Sequence, residues 1–277
     1  MVSLPPAMLK HVHFLFLIVS IIAAGCSEYN RVLKSSDIDY KYEKAIEYYE
    51  DGKCYQSLPI LEELISLTRG TNRAEDVYYY HAKSHFCTRD YYLANYYLSN
   101  FTKNFSYSER SEECAFLAAM CSYYLSPEFS LDQTETTLAI NELQLFLDRY
   151  PSSELRDSCE TMIDELNAKL EKKSYEVAKL YAKTENHKSA VIALDYALRD
   201  FPNSTYREEM MWLMVRSSFL YADQSVEEKK LERFNDCIEH YLNFVAYFPE
   251  SKYLRQAENY FEKSRKEVER LKEQEDL

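Results

Sequence analysis

Glycine is almost missing from this chain: 277 residues contain three, beside seven prolines and one tryptophan. That scarcity suits an all-helical protein and leaves no Gly-rich loop to cradle a phosphate. Basic residues are outnumbered, with a net charge of −13. A chain this acidic with no basic cluster is a poor nucleic-acid binder, because phosphate neutralisation needs lysine and arginine. None of the seven cysteines forms a CxxC pair, which argues against zinc. His81 and His85 stand four apart, as metal-binding pairs can. No HExxH motif and no third ligand accompany them, so helix packing is the simpler reading. No Ser/His/Asp order and no isolated carboxylate pair stands out. These gaps point away from catalysis and from any cofactor. The longest apolar run, Phe14 to Ala24, is broken by Ser20 and falls short of the about 20 residues a membrane span needs.

What the chain has is a repeated helical hairpin. In the stretch Tyr175 to Thr205, Val177, Ala178, Leu180 and Tyr181, then Ala190, Val191, Leu194, Ala197 and Leu198, keep the spacing of helices with one buried face. Polar KTENHKS is the turn between them, and Phe201-Pro202 stops the second helix. In the tetratricopeptide pattern, small residues sit where the two helices cross and a proline closes the second. Ala178, Ala190 and Pro202 fill those places. The same spacing finds Ala82 with Ala94, Ala139 before Pro151, and Cys237 before Pro249. The closing phrase recurs as Tyr150-Pro-Ser-Ser, Phe201-Pro-Asn-Ser and Phe248-Pro-Glu-Ser, with a degenerate copy at Phe105-Ser-Tyr-Ser. The fold expected is an all-α, tetratricopeptide-like helical-hairpin solenoid of about five repeats.

Residues 9–26 read LKHVHFLFLIVSIIAAGC: a basic residue, an apolar stretch, then small residues before Cys26. This resembles the lipobox of bacterial lipoproteins, where the signal peptide is cut before a cysteine that then receives acyl chains. The expectation is a signal peptide over 1–25, with Met8 as an alternative start, and a lipidated tether over 26–36. Several acyl chains anchor firmly. Ser27 after the cysteine fits sorting to the periplasmic face of the outer membrane.

Residues 37–150 then hold repeats one to three. Residues 151–275 hold a linking helix (Glu154 to Leu170), repeats four and five, and a capping helix from Lys252 whose last charged turns fray. Pro59 is expected in the first turn of its helix, and Thr205 with Glu208 as a capping box. The six cysteines beyond Cys26 are Cys54, Cys87, Cys114, Cys121, Cys159 and Cys237. They fall on apolar helix faces and read as free buried thiols, with disulfides the alternative in an oxidising compartment. Tyrosine is abundant, at 26. Most are packing residues, but the first helix of each hairpin should line a shared surface. There Tyr40, Glu43, Glu47, Tyr79, Lys83 and Phe86 are candidates to hold an extended peptide.

The Cys26 lipobox, the short tether and five hairpins resemble the BamD family of outer-membrane assembly lipoproteins. Tyr42-x-x-Ala45, Asp51-Gly52 and Leu61-Glu62-x-Leu64 are similar to that family's opening, and Tyr150-Pro-Ser-Ser and Ala190-Val191 with Leu198-Arg199-Asp200-Phe201-Pro202 to its later repeats. The resemblance implies a non-enzymatic scaffold docked on the barrel-forming BamA subunit, with the N-terminal repeats receiving unfolded barrel proteins. Two positions depart from the family pattern. Thr68-Arg69-Gly70 replaces an aromatic-Pro phrase, and Ala193 stands where an arginine is common. The rival reading is another periplasmic repeat lipoprotein that coordinates cell-envelope or cell-wall enzymes.

Overall fold

A computed structural model describes residues 28–275; the expected signal peptide and lipidated Cys26 lie outside them. Among the described residues the chain is helix and turn, without strands. After α1 (residues 28–34) come α2 (Ile38–Glu50), α3 (Cys54–Leu67), α4 (Ala74–Cys87), α5 (Tyr91–Asn104), α6 (Ser111–Leu125) and α7 (Thr134–Arg149). Then follow α8 (Arg156–Lys183), α9 (His187–Asp200), α10 (Arg207–Asp223), α11 (Glu227–Tyr247) and α12 (Leu254–Glu275). Two compact units emerge. One holds the described residues up to Pro127 with Thr134–Ile163; the other holds Glu128–Gln133 and the described residues from Asp164.

The hairpins form as the repeat pattern predicts. Ala45, Ala82, Ala94, Ala178 and Ala190 are fully buried, which lets helix backbones approach closely. Where the second small residue is polar it bonds across the crossing. Ser57 donates to the Ala45 carbonyl at 2.7 Å, and the Cys237 thiol donates to the Val215 carbonyl at 3.5 Å. Asp37, Asp90 and Asn186 cap α2, α5 and α9 by accepting backbone N–H bonds. In the turns before α3, α5 and α9, Gly52, Arg89 and Glu185 all adopt positive φ, at 73°, 61° and 59°. Glycine takes that conformation freely, whereas the other two are held there by the hairpins around them.

Each closing phrase is a hydrogen-bonded clamp. The serine N–H donates to the aromatic carbonyl three residues back: Ser108 to Phe105, Ser153 to Tyr150, Ser204 to Phe201 and Ser251 to Phe248, at 2.9 to 3.2 Å. Its hydroxyl accepts from the N–H two residues on, at 3.0 to 3.1 Å. Three of these hydroxyls also donate to a glutamate of an earlier helix: Ser108 to Glu75, Ser204 to Glu171 and Ser251 to Glu208, at 2.5 to 2.6 Å. Glu208 is thereby engaged by Ser251, and Tyr206, the N-cap of α10, makes no side-chain cap, so the expected capping box with Thr205 does not form.

Four further expectations are corrected. The linking helix and the first helix of the opening hairpin are one 28-residue helix, α8, because Glu171 to Ser174 contain no breaker. Pro59 sits in the second turn of α3, which starts at Cys54, and so deprives the Tyr55 carbonyl of its helical donor. The end of α12 is pinned: Val268 and Leu271 pack on Ala222 and Phe234. Cys54 and Cys87 form a disulfide that joins the start of α3 to the end of α4, while Cys114, Cys121, Cys159 and Cys237 are free and buried as expected.

Candidate functional site

In the first unit, the leading helices α2, α4 and α6 are neighbours. A lattice of tyrosines and charges joins them at a constant offset. The Tyr42 hydroxyl donates to Asp76 at 3.2 Å, and the Tyr79 hydroxyl to Glu113 at 2.7 Å, each 34 residues on. Arg73 pairs with Asp39 and lies 4.9 Å over the Tyr42 ring; Arg110 pairs with Asp76 and lies 4.5 Å over the Tyr79 ring. Lys83 completes the second copy, donating to Glu113 at 2.7 Å and to the Tyr79 hydroxyl at 2.9 Å.

These contacts set the charges. Burial pushes the Tyr79 phenol up to about 12, so it stays a donor. Burial opposes ionisation of Glu113, but the bonds from Lys83 and Tyr79 outweigh it and hold the carboxyl below its usual value. Burial likewise works against the Lys83 charge, and the same two partners overcome it and raise its pKa.

The six sequence candidates therefore fall into three settings. Tyr40, Glu43 and Glu47 form an acidic edge on α2, where Glu43 and Glu47 are exposed and Lys44 bridges Glu47 at 2.8 Å. Tyr40 is half-buried and accepts from Arg31 at 3.4 Å. Tyr79 and Lys83 sit in the lattice; with 8% exposure, Tyr79 offers less ring surface than an exposed aromatic would. Phe86 opens an aromatic cluster with Tyr91 and Tyr124, at ring distances of 5.7 and 6.2 Å. Sequence reasoning missed Glu113, Arg110 and Tyr124. The signal that finds the first two is the 34-residue offset from Tyr79 and Asp76.

His81 and His85 pack edge to face at 4.8 Å with Tyr97 against both rings. Among the described residues no group of three His, Cys, Asp or Glu could hold a metal ion. The face can bind through carboxylates, cations and ring surface.

The fold and this face define a class: a helical-hairpin repeat protein whose leading helices share a polar–aromatic face. Residues 35–230 match the YfiO family, described as outer membrane lipoprotein, and the chain belongs to that family. It is 25% identical over 236 residues to the "Putative outer membrane protein assembly factor BamD" of Aquifex aeolicus (strain VF5), covering 84% of this chain and 77% of that protein. The P58(IPK) tetratricopeptide domain is similar at 11% identity with a TM-score of 0.39, over 89% of this chain and 68% of that one.

Proposed function

We propose that this protein is a lipid-anchored scaffold of the outer-membrane β-barrel assembly machinery, working at the periplasmic face. The match of residues 35–230 to the outer membrane lipoprotein family carries the reading, together with the name of the Aquifex relative. Cys26 holds the acyl chains and so the membrane. The C-terminal repeats dock on a BamA-like barrel protein. The leading helices of the first unit hold unfolded barrel substrate, with Tyr40, Glu43, Glu47 and Phe86 in contact and the Tyr79–Lys83–Glu113 lattice keeping the helices in register. The work is binding, with no bond made or broken.

A mild-detergent pull-down of the tagged protein from its own envelope tests this. Stoichiometric recovery of a barrel protein with periplasmic domains is expected, and loss of membrane attachment in Cys26→Ser. Recovery alone, or with cell-wall enzymes in place of a barrel protein, overturns it in favour of a cell-wall coordination role.

A further inference from the structure

The lattice of the first unit has two counterparts in the second. In the first of them Tyr175 replaces Tyr79, Lys179 replaces Lys83 and Glu209 replaces Glu113. Lys179 donates to the Tyr175 hydroxyl at 2.6 Å and pairs with Glu209 at 3.1 Å. The place of Arg110 is taken by Tyr206, whose ring stacks on Tyr175 at 4.2 Å. The next copy repeats that stack, with Trp212 on Tyr253 at 4.5 Å and 13°. Its register is thereby fixed. Arg216 follows Trp212 by one turn, as Lys179 follows Tyr175. Gln256 follows Tyr253 by three residues, as Glu209 follows Tyr206.

This last copy holds a cation without its acid. Lys83 and Lys179 are each neutralised by a glutamate of the next leading helix. At Arg216 the equivalent residue is the neutral Gln256, and among the described residues Arg216 makes no ion pair. His187 feels the Arg216 charge but supplies no counter-charge. It is buried to 4% exposure, and burial and then Arg216 lower its pKa. A half-buried arginine without an ion pair in a chain of net charge −13 is an open demand for a carboxylate.

We propose that Arg216, one helical turn beyond the Trp212 that stacks on Tyr253, is a docking anchor for an acidic side chain or C-terminal carboxylate presented by a partner protein. That carboxylate takes the place that Glu113 and Glu209 fill from within the chain. The inference deepens the docking step proposed above and rests on that reading for the partner's name, but its chemistry does not.

The test is made on the full lipidated chain in its own envelope. Arg216→Lys keeps the charge and adds an amine, so a water-soluble carbodiimide can condense that amine with a carboxylate in contact, the carbodiimide taking up the water lost as a urea. The expected product is an isopeptide bond to an Asp, Glu or C-terminus of another protein, mapped by mass spectrometry. The double variant Arg216→Lys with Gln256→Glu should divert the bond to position 256. Gln256→Glu alone should lower partner capture about tenfold while raising the melting temperature by about 2 °C. A product joining Arg216→Lys to another residue of this chain overturns the inference, as does no product from a folded variant. So does a Gln256→Glu protein that captures its partner as well as the native one. A bond to a protein other than a barrel subunit upholds the anchor and removes the assembly reading. No bond, with the barrel protein still recovered, removes the anchor alone.

Discussion

In the first unit Tyr79 lies beneath the Arg110 guanidinium; at the equivalent place in the second, Tyr175 lies beneath the Tyr206 ring. Neighbouring leading helices face the same packing problem in both, and charge solves it in one while stacking solves it in the other. Arg110 also pairs with Asp76, so removing it costs the first unit an ion pair and a cation–ring contact together. Tyr206 and Tyr253 contribute ring area and geometry, which salt does not screen. The first unit also carries the disulfide, Cys54–Cys87. The first unit thus adds a disulfide and the Arg110 contacts, which redox state and salt can weaken, where the second keeps the Lys179–Glu209 pair but adds ring stacks that salt does not screen.

Separate probes can break that comparison. Trp212 is the chain's one tryptophan and lies in the second unit, so its fluorescence reads that unit while hydrogen exchange of α3 to α6 reads the other. The largest effect should come from the disulfide. Opening a bridge across a separation of 33 residues should cost the first unit about 4 kcal/mol by loop-closure entropy. Exchange in α3 and α4 should quicken while Trp212 unfolding is unmoved; a shift in Trp212 instead would mean that the units melt as one.

Acid comes next. Burial, and secondarily His85, lower the folded pKa of His81 to about 4 from its ordinary 6.5. A depressed histidine pKa means that the unfolded chain takes up the proton first. Its contribution is therefore intact above pH 6.5 and is lost progressively as pH falls toward 4, by about 3 kcal/mol. His81→Leu should flatten the first unit's pH dependence across that window by this amount, measured by urea unfolding at several pH values. An unchanged slope would show that His81 accepts its proton while folded. Glu113 adds a further loss at lower pH: its folded pKa is depressed, so its stabilisation is present above its ordinary 4.5 and fades as pH drops through the folded value.

Tyr253→Ala should cost the second unit about 2 kcal/mol through lost ring area and stacking on Trp212, equally at low and high salt. Arg110→Gln should cost the first unit about 1 kcal/mol at low salt and much less at high salt, since its side chain is 36% exposed. Equal salt sensitivity in these two variants would erase the distinction between the units.

Much of this architecture was legible in the sequence because hairpins are local. The closing phrases and the small crossing residues such as Ala82 and Ala178 mark helix ends and crossings within one repeat. What escaped lies between repeats. The Cys54–Cys87 bond joins residues that only the packing of α3 on α4 brings together, and Glu113 meets Tyr79 only once two hairpins are in register. The unbroken α8 was hidden for a different reason. Two hydrophobic patterns meet at Glu171 to Ser174, and no glycine or proline tells whether the chain turns there. Of the candidate face, the adjacency of the leading helices α2 and α4 was readable. The burial of Tyr79 was not, because the Arg110 guanidinium that lies over its ring comes from the following repeat.

The serine clamps bear on how such a chain can change length in descent. Three hairpins bond a glutamate of their leading helix to the serine that closes that same hairpin, so a copied or excised whole hairpin carries both partners with it. A partial loss would set a serine against the wrong side chain. The spacing between partners is itself tolerant: Glu208 meets Ser251 across 43 residues, whereas Glu75 meets Ser108 across 33. The longer α10 and α11 absorb the difference, at 17 and 21 residues against 14 each for α4 and α5. Lineages can therefore lengthen the helices within a repeat, or gain and lose repeats entire, while the junctions stay as they were.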